Sequence, residues 1–226
     1  MNQSQEQSLL EGGAALFTLL GRMMHGVPDG ELVRGMAQGG LLDELPLLGA
    51  QAAHEVRLRF QPWLRACAVR GFDAAFEDVR SDYAGLFLGP RRVKAPLWES
   101  VYFNKDRMVF QHETFQVRAT YRRYGLAVDG LSHEPDDQLG YELLFVGHLL
   151  GLASQRAGVE RDAVLADLRS FTACHPMTWV PKWQAIVHRE APESFYDGYA
   201  LLVLYALQAT EDLVEALLGQ SETIAC

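Results

Sequence analysis

The chain has 226 residues, of which 49% are hydrophobic and 22% charged, as is typical of a globular domain that can bury a substantial core. Its net charge of −9 argues against a nucleic-acid surface, which needs clustered cations, and favours a cationic partner. We therefore expect residues 1–226 to form a single domain.

The apolar residues of the first half recur at helical spacing. They predict one helix over about residues 9–24 and a short second helix capped by Asp29. A third helix is predicted over about residues 56–70. A fourth follows with Asp73 as its predicted cap, and it should end at Gly89, which proline follows.

Residues 91–110 are the least periodic part of the chain. Pro96 interrupts them and no long helical pattern is present, so an ordered loop is predicted. This loop carries Trp98, Tyr102 and Phe103. Aromatic residues in a loop must either be buried or be offered to a ligand.

Helical spacing returns in the second half. Helices are predicted over residues 113–124, 136–157, 161–171, 179–188 and 193–218. Pro135 is well suited to a first helical turn. Asp136 and Asp137 would then lie in that turn, beside free N–H groups and the positive end of the helix dipole. The whole pattern predicts an all-α domain of nine or ten helices.

No catalytic, nucleotide-binding or metal-binding motif is recognisable. Cys174 and His175 could supply two metal ligands, but no third ligand lies near them in the sequence. We therefore predict no catalytic residue, no metal and no cofactor. The three cysteines are far apart and form no C-x-x-C pair, so free thiols and a reducing compartment are expected.

The N-terminal residues lack the basic and apolar regions of a signal peptide. No apolar run approaches the roughly 18 residues of a membrane span. These features predict a cytoplasmic protein without stable membrane insertion.

Four short motifs occur in order along the chain. They are Y-x-x-L-F-x-G-P at residues 83–90, A-P-x-W-x-S-V-Y at 95–102, E-P-x-D at 134–137 and H-P-M-x-W at 175–179. Over about residues 72–204 the chain therefore resembles the TorD/DmsD family of cytoplasmic chaperones for molybdenum-containing respiratory enzymes. Gln138 stands where members of that family often carry histidine, and it cannot titrate as an imidazole would.

The resemblance implies an all-helical chaperone rather than an enzyme. Such a chaperone would bind the twin-arginine leader of a dimethyl sulfoxide or trimethylamine N-oxide reductase precursor, and would assist its folding, cofactor insertion and proofreading before export. An apolar helix entering a groove would suit this recognition. The implied leader-binding residues are Tyr83, Leu86, Phe87, Pro96, Leu97, Trp98, Glu134, Asp136, Asp137, Gln138 and His175.

Trp98 and Tyr83 are the predicted hot spots, because large aromatic anchors dominate such interfaces. Asp137 is the best candidate for the cationic end of the leader, with Glu134 and Asp136 adding negative potential. Two structural alternatives stay open. Tyr83 and Phe87 have the spacing of residues on the buried face of their own helix, so they could be core residues. One of the carboxylates could simply cap a helix.

Three other functions stay open as well. A nitrate-reductase-type chaperone would bind a non-exported molybdoenzyme N-terminus. A nucleotide-binding helical switch would use Arg91, Arg92 and Lys94, and a helical adaptor would have no peptide groove. Monomer and domain-swapped dimer both fit a helical domain with hinges rich in glycine and proline.

Overall fold

The computed structural model describes residues 2–89, 93–128 and 134–219. Within these ranges there are nine α-helices, and no β-strand forms, so the predicted all-α fold is confirmed. They are α1 (Gln3–Met24), α2 (Gly30–Gln38), α3 (Ala50–Arg70), α4 (Phe72–Tyr83), α5 (His112–Arg123), α6 (Leu139–Ser154), α7 (Gly158–Cys174), α8 (Pro176–Glu190) and α9 (Phe195–Leu218). A π-helical turn (Ala84–Leu88) follows α4, and a 3-10 turn (Glu99–Tyr102) lies within the predicted loop.

The first helix crosses α6 closely enough to require glycine at the contact. A Cβ atom on Gly21 would lie 2.6 Å from Cγ of Leu144 and 2.7 Å from the carbonyl oxygen of Gly140. The hydroxyl of Tyr199 on α9 donates to the carbonyl oxygen of Leu20 at 2.6 Å. This arrangement fixes α1 against the two most apolar helices.

The described residues share one hydrophobic core, with α9 packed against α3, α7 and α8. Aromatic rings fill its centre, where they contact one another edge to face or in stacks. The largest of these buried side chains are Phe17, Phe60, Phe87, Trp179, Trp183, Phe195, Tyr196 and Tyr199. Residues 195–204 of α9 are all buried, so this first part of the helix is surrounded by other elements of the fold.

One of the two predicted caps is correct. The carboxylate of Asp29 accepts the backbone N–H of Glu31 at 2.8 Å, which confirms it as the cap of α2. The cap predicted at Asp73 is wrong, because α4 already begins at Phe72. Asp73 lies in the first turn of α4, and its exposed carboxylate pairs with Arg34 at 3.2 Å.

The predicted start of α6 is also wrong. The helix begins at Leu139, with Gln138 as its N-cap. The side-chain oxygen of Gln138 accepts the backbone N–H groups of the second and third helical residues. Pro135, Asp136 and Asp137 therefore precede the helix, and their backbone belongs to the segment that leads into it.

The expectation of free thiols is met at Cys67, which is half-buried. It is wrong at Cys174, which is disulfide-bonded, and Cys226 lies outside the described residues. No helix in the described parts of the chain combines the length and apolar character needed to cross a membrane.

Candidate functional site

Two of the sequence motifs meet in a short antiparallel contact, which we call the junction (residues 96–102 and 134–139). The N–H of Leu139 donates to the carbonyl oxygen of Leu97 at 2.7 Å, and the N–H of Glu99 donates to that of Asp137 at 3.0 Å. These bonds pair Trp98 with the residue that caps α6. The resemblance therefore selected two segments that lie side by side.

Asp137 lies at the centre of the junction and is fully buried. One carboxylate oxygen accepts the backbone N–H of Ser100 at 2.8 Å, and the other accepts the hydroxyl of Thr114 at 2.8 Å. A buried carboxylate held by two donors is a strong crosslink. This carboxylate therefore connects three elements: the 3-10 turn, α5 and the segment before α6.

Asp136 is also buried, and it is paired with α5. The Nε and Nη2 groups of Arg118 donate to its Oδ2 at 2.9 and 2.7 Å. That hydrogen bond raises the pKa of the Arg118 guanidinium, which keeps the cation charged. The pair neutralises a carboxylate that would otherwise be costly to bury.

Gln138 performs a structural task that an imidazole could not duplicate in the same way. Its side-chain oxygen caps α6, and its side-chain nitrogen donates to the carbonyl oxygen of Met24 at 2.7 Å. The amide thus connects the end of α1 to the start of α6. Both of its polar ends are used inside the protein.

A second set of buried acids lies behind the junction. The ring of His175 contacts the carboxylate of Glu99 at 3.0 Å, and the indole N–H of Trp179 donates to Glu142 at 3.1 Å. Burial raises the pKa of Glu142 well above its ordinary value, and the nearby negative charges of Glu99 and Asp137 raise it further. Both effects favour the protonated form of Glu142.

The outward side of the junction is different in character. The ring of Trp98 is half-exposed, and its N–H donates to the half-buried carboxylate of Glu134 at 3.3 Å. Beside them is an open cavity of about 360 Å³, which is lined by Val93, Pro96, Trp98, Val101, Asp106, Arg107 and Val109. This surface combines apolar walls with two carboxylates, Glu134 and Asp106, and with the guanidinium of Arg107, which donates to the carbonyl oxygen of Val93 at 3.1 Å.

The π-helical turn supports this surface from within. The carbonyl oxygen of Leu86 accepts the N–H of Ala95 at 3.0 Å, which anchors the start of the loop. The rings of Tyr83 and Phe87 are buried, with centroids 5.3 Å apart. Burial raises the pKa of Tyr83, and the charge of Glu134 adds to this effect.

The structure brings the predicted residues together, but it places most of them in the interior. Trp98 and Glu134 are partly exposed. The buried ones are Tyr83, Leu86, Phe87, Pro96, Leu97, Asp136, Asp137, Gln138 and His175. Exposure therefore divides the predicted set into a small outer surface and a larger supporting layer.

Sequence reasoning missed four residues that hold this site together, namely Glu99, Thr114, Arg118 and Glu142. Glu99 follows the motif tryptophan directly, so its position was a usable signal. Thr114 and Arg118 are one turn apart on α5 and carry no local signature. Glu142 is marked as part of the site only by its burial, which the sequence does not show.

Two of the cations proposed for a nucleotide switch, Arg91 and Arg92, lie outside the described residues. Lys94 is half-exposed, and its amine is 3.8 Å from the carboxylate of Glu190. Among the residues that the structure describes, no group of three or more His, Cys, Asp or Glu side chains is arranged to hold a metal ion.

The described residues thus form an all-α protein in which a half-exposed tryptophan and an open cavity lie on the hydrogen-bonded junction. The chain belongs to the nitrate reductase delta subunit family, whose sequence model matches residues 50–185. This match covers more than half of the chain, including the whole junction.

Curated relatives carry chaperone names. The chain is 25% identical over 132 residues to a probable Tat proofreading chaperone DmsD of Haemophilus influenzae, covering 58% of this chain and 60% of that protein. It is 30% identical over 140 residues to a chaperone protein TorD of Ferrimonas balearica, covering 61% of this chain and 60% of that protein. For a chaperone protein TorD of Aliivibrio fischeri the identity is 24% over 142 residues, covering 62% of this chain and 66% of that protein.

These relatives confirm the resemblance to TorD and DmsD chaperones that the motifs indicated. The matches span less than two thirds of the length of each of the three relatives.

Proposed function

We propose that this protein is a chaperone, not an enzyme, that binds the twin-arginine leader of a molybdopterin oxidoreductase precursor in the cytoplasm. The client would be of the dimethyl sulfoxide or trimethylamine N-oxide reductase type. The chaperone would hold it through folding and cofactor insertion until export. The names of the relatives support this proposal, since they describe Tat proofreading and TorD chaperones.

The observation that carries the proposal is the surface around Trp98. A half-exposed indole and the 360 Å³ cavity offer apolar contact, while Glu134 and Asp106 offer negative charge beside it. The guanidinium of Arg107 lines the same cavity and donates to the carbonyl oxygen of Val93, so Glu134, which lies outside that lining, is the carboxylate we assign to the leader. A twin-arginine leader has the complementary pattern, two adjacent cations followed by an apolar stretch. Helix capture of this kind needs a groove and a charge rather than a nucleophile.

We assign different tasks to the two parts of the predicted set. Trp98 would contact the apolar part of the leader, and Glu134 would meet an arginine. Asp136, Asp137 and Gln138 would not touch the leader, because their side chains are buried and each is hydrogen-bonded inside the protein. They would fix the shape of the surface instead.

The expected energies follow from exposure. Truncating a hot-spot aromatic costs about 2 kcal/mol or more of binding free energy. A rim ion pair between Glu134 and an arginine would add only about 0.2–1 kcal/mol, rising to about 2–5 kcal/mol if the leader excludes water from it. Trp98 should therefore dominate affinity.

A second candidate function has a specific observation in its favour, the nitrate reductase delta subunit family model. A chaperone of that type would bind the N-terminus of a molybdoenzyme that is not exported. The two functions differ in one requirement. Only the first needs the pair of arginines in the client peptide.

Affinity capture tests the proposal. The tagged chain would be recovered from anaerobically grown cells of its own source, and bound proteins would be identified by mass spectrometry. The test variant is Trp98→Ala with Glu134→Gln, and Leu58→Ala is the control, since that exposed apolar residue lies on α3.

We expect a molybdoenzyme precursor with its leader intact, retained by the control and lost by the test variant. A non-exported molybdoenzyme would favour the second candidate. No molybdoenzyme in any sample, under conditions in which one is expressed, would contradict both.

A further inference from the structure

Two side chains on α5 hold the two adjacent buried carboxylates of the junction. Thr114 donates to Asp137 at 2.8 Å, and Arg118 donates to Asp136 through two N–H groups at 2.9 and 2.7 Å. Residues four apart on a helix lie on the same face, so both can reach the same segment. Neither Thr114 nor Arg118 lines the cavity beside Trp98.

The contacts continue from α5 to the exposed surface. The carboxylate of Asp137 also accepts the N–H of Ser100, and the backbone carbonyl oxygen of Asp137 accepts the N–H of Glu99. Those two donors immediately follow Trp98 in the chain. Thr114 is therefore connected to the backbone that carries the indole through one shared carboxylate.

A parallel connection reaches the negative end of the surface. Arg118 holds Asp136, which is two residues after Glu134, and the carboxylate of Glu134 accepts the N–H of Trp98. The side chain of Arg118 is mostly buried, with 18% of it exposed. A lysine could not reproduce two donors in a fixed fork.

We propose that Thr114 and Arg118 are positioning residues of the leader-binding surface. They act by holding Asp137 and Asp136, and so set where Trp98 and Glu134 lie. This inference rests on the proposed function, because it describes how the same surface is kept in a binding geometry. It goes beyond that function by assigning roles to residues of α5 that do not contact the leader.

The arrangement explains why Asp136 and Asp137 are both buried next to a binding surface. Burying two carboxylates is unfavourable unless each has partners. Asp137 has partners on both α5 and the 3-10 turn, whereas Asp136 is held by Arg118 of α5. Asp137 thereby couples a rigid helix to a loop, and rigid support raises affinity by limiting the ordering cost of binding.

The test uses paired variants at each position. Thr114→Val and Arg118→Met remove the donors, whereas Thr114→Ser and Arg118→Lys retain a hydroxyl and a cation. Matched controls on the same helix are Thr120→Val, whose hydroxyl donates only to the backbone of its own helix, and Arg122→Met, which is exposed.

Two measurements are made on each folded variant. The first is the affinity for a synthetic twin-arginine leader peptide that lacks tryptophan. The second is quenching of tryptophan fluorescence by iodide without peptide, which reports mainly on Trp98 because the other three tryptophans are buried. Circular dichroism at the same temperature shows that each variant is folded.

We expect Thr114→Val and Arg118→Met to weaken leader binding roughly 3- to 30-fold, the range typical of residues that act through others. Iodide quenching should rise in both variants. Thr114→Ser should bind like the wild type, Arg118→Lys should be intermediate, and both controls should change neither measurement.

Wild-type affinity and wild-type quenching in Thr114→Val and Arg118→Met would overturn the inference. If a donor-removing variant does not fold, the conservative pair decides. Wild-type behaviour of Arg118→Lys would then count against positioning. Weakened leader binding by Arg118→Lys, together with unchanged binding by Thr114→Ser, would support it. If the wild type binds no leader, the proposed function fails, and quenching alone still tests whether α5 positions Trp98.

Discussion

Replacing Asp137 by asparagine should destabilise the protein measurably. The carboxylate accepts one hydrogen bond from Ser100 and one from Thr114, and all three groups are buried. An asparagine side chain has one oxygen to accept with, and its NH2 group would face the second donor. One buried donor is then left without an acceptor, which costs about 1–3 kcal/mol.

Urea unfolding followed by circular dichroism measures this loss directly. In a domain of this size it corresponds to a fall in melting temperature of about 2 to 12 °C. The control is Asp73→Asn, since that carboxylate is 94% exposed and pairs only with a surface arginine. The control should lose no more than about 1 kcal/mol.

A double-mutant cycle identifies the contact responsible. If Thr114 and Asp137 interact as the structure shows, Thr114→Val and Asp137→Asn should be non-additive by about 0.5–3 kcal/mol. An Asp137→Asn variant as stable as the Asp73→Asn control would refute the reasoning. Strict additivity in the cycle would refute the assigned partner.

Three more predictions can be checked with similar methods. Gly21→Ala should lose about 1–3 kcal/mol of stability, because the new Cβ meets Leu144 and the backbone of Gly140. Gly35→Ala, a helical position with no atom within 4 Å of the new Cβ, should instead gain about 0.5–1 kcal/mol. Both would be measured by urea unfolding, and equal effects would contradict the helix crossing. Because its pKa is raised in the folded state, Glu142 holds its proton to higher pH there than in the unfolded chain, which releases it near pH 4.5. The free energy of unfolding therefore falls progressively as pH rises above that value. Glu142→Gln should therefore gain stability relative to the wild type between pH 5 and 8, and a constant difference across those unfolding curves would contradict the raised pKa. Leader affinity, measured by calorimetry, should fall modestly as salt rises, and a salt-independent affinity would exclude a role for the carboxylates in recognition.

The sequence predicted the helices well because helical periodicity is a local property. The cap at Asp29 was also local, since its carboxylate bonds to a backbone group two residues away. The start of α6 was predicted wrongly because Asp136 and Asp137 looked like residues of a first turn. Their carboxylates are engaged by side chains and backbone 18 to 37 residues away, and no local pattern reveals such partners.

The candidate site was predicted as a set of residues rather than as a surface. Motif resemblance correctly indicated two segments that the fold brings together at Trp98 and the cap of α6. It did not show which side chains point outward, because burial depends on the packing of several helices at once. The same limit hid Glu142, whose burial on α6 depends on how the neighbouring helices pack.

The central claim is that the surface around Trp98 binds a twin-arginine leader. Isothermal titration calorimetry of a synthetic leader, in its twin-arginine form and with both arginines replaced by glutamine, tests it most directly against the wild type and Trp98→Ala. We predict binding by the wild type, weaker binding of the glutamine peptide, and a loss of about 2 kcal/mol or more in Trp98→Ala. Equal affinity of both peptides for both proteins would contradict the claim.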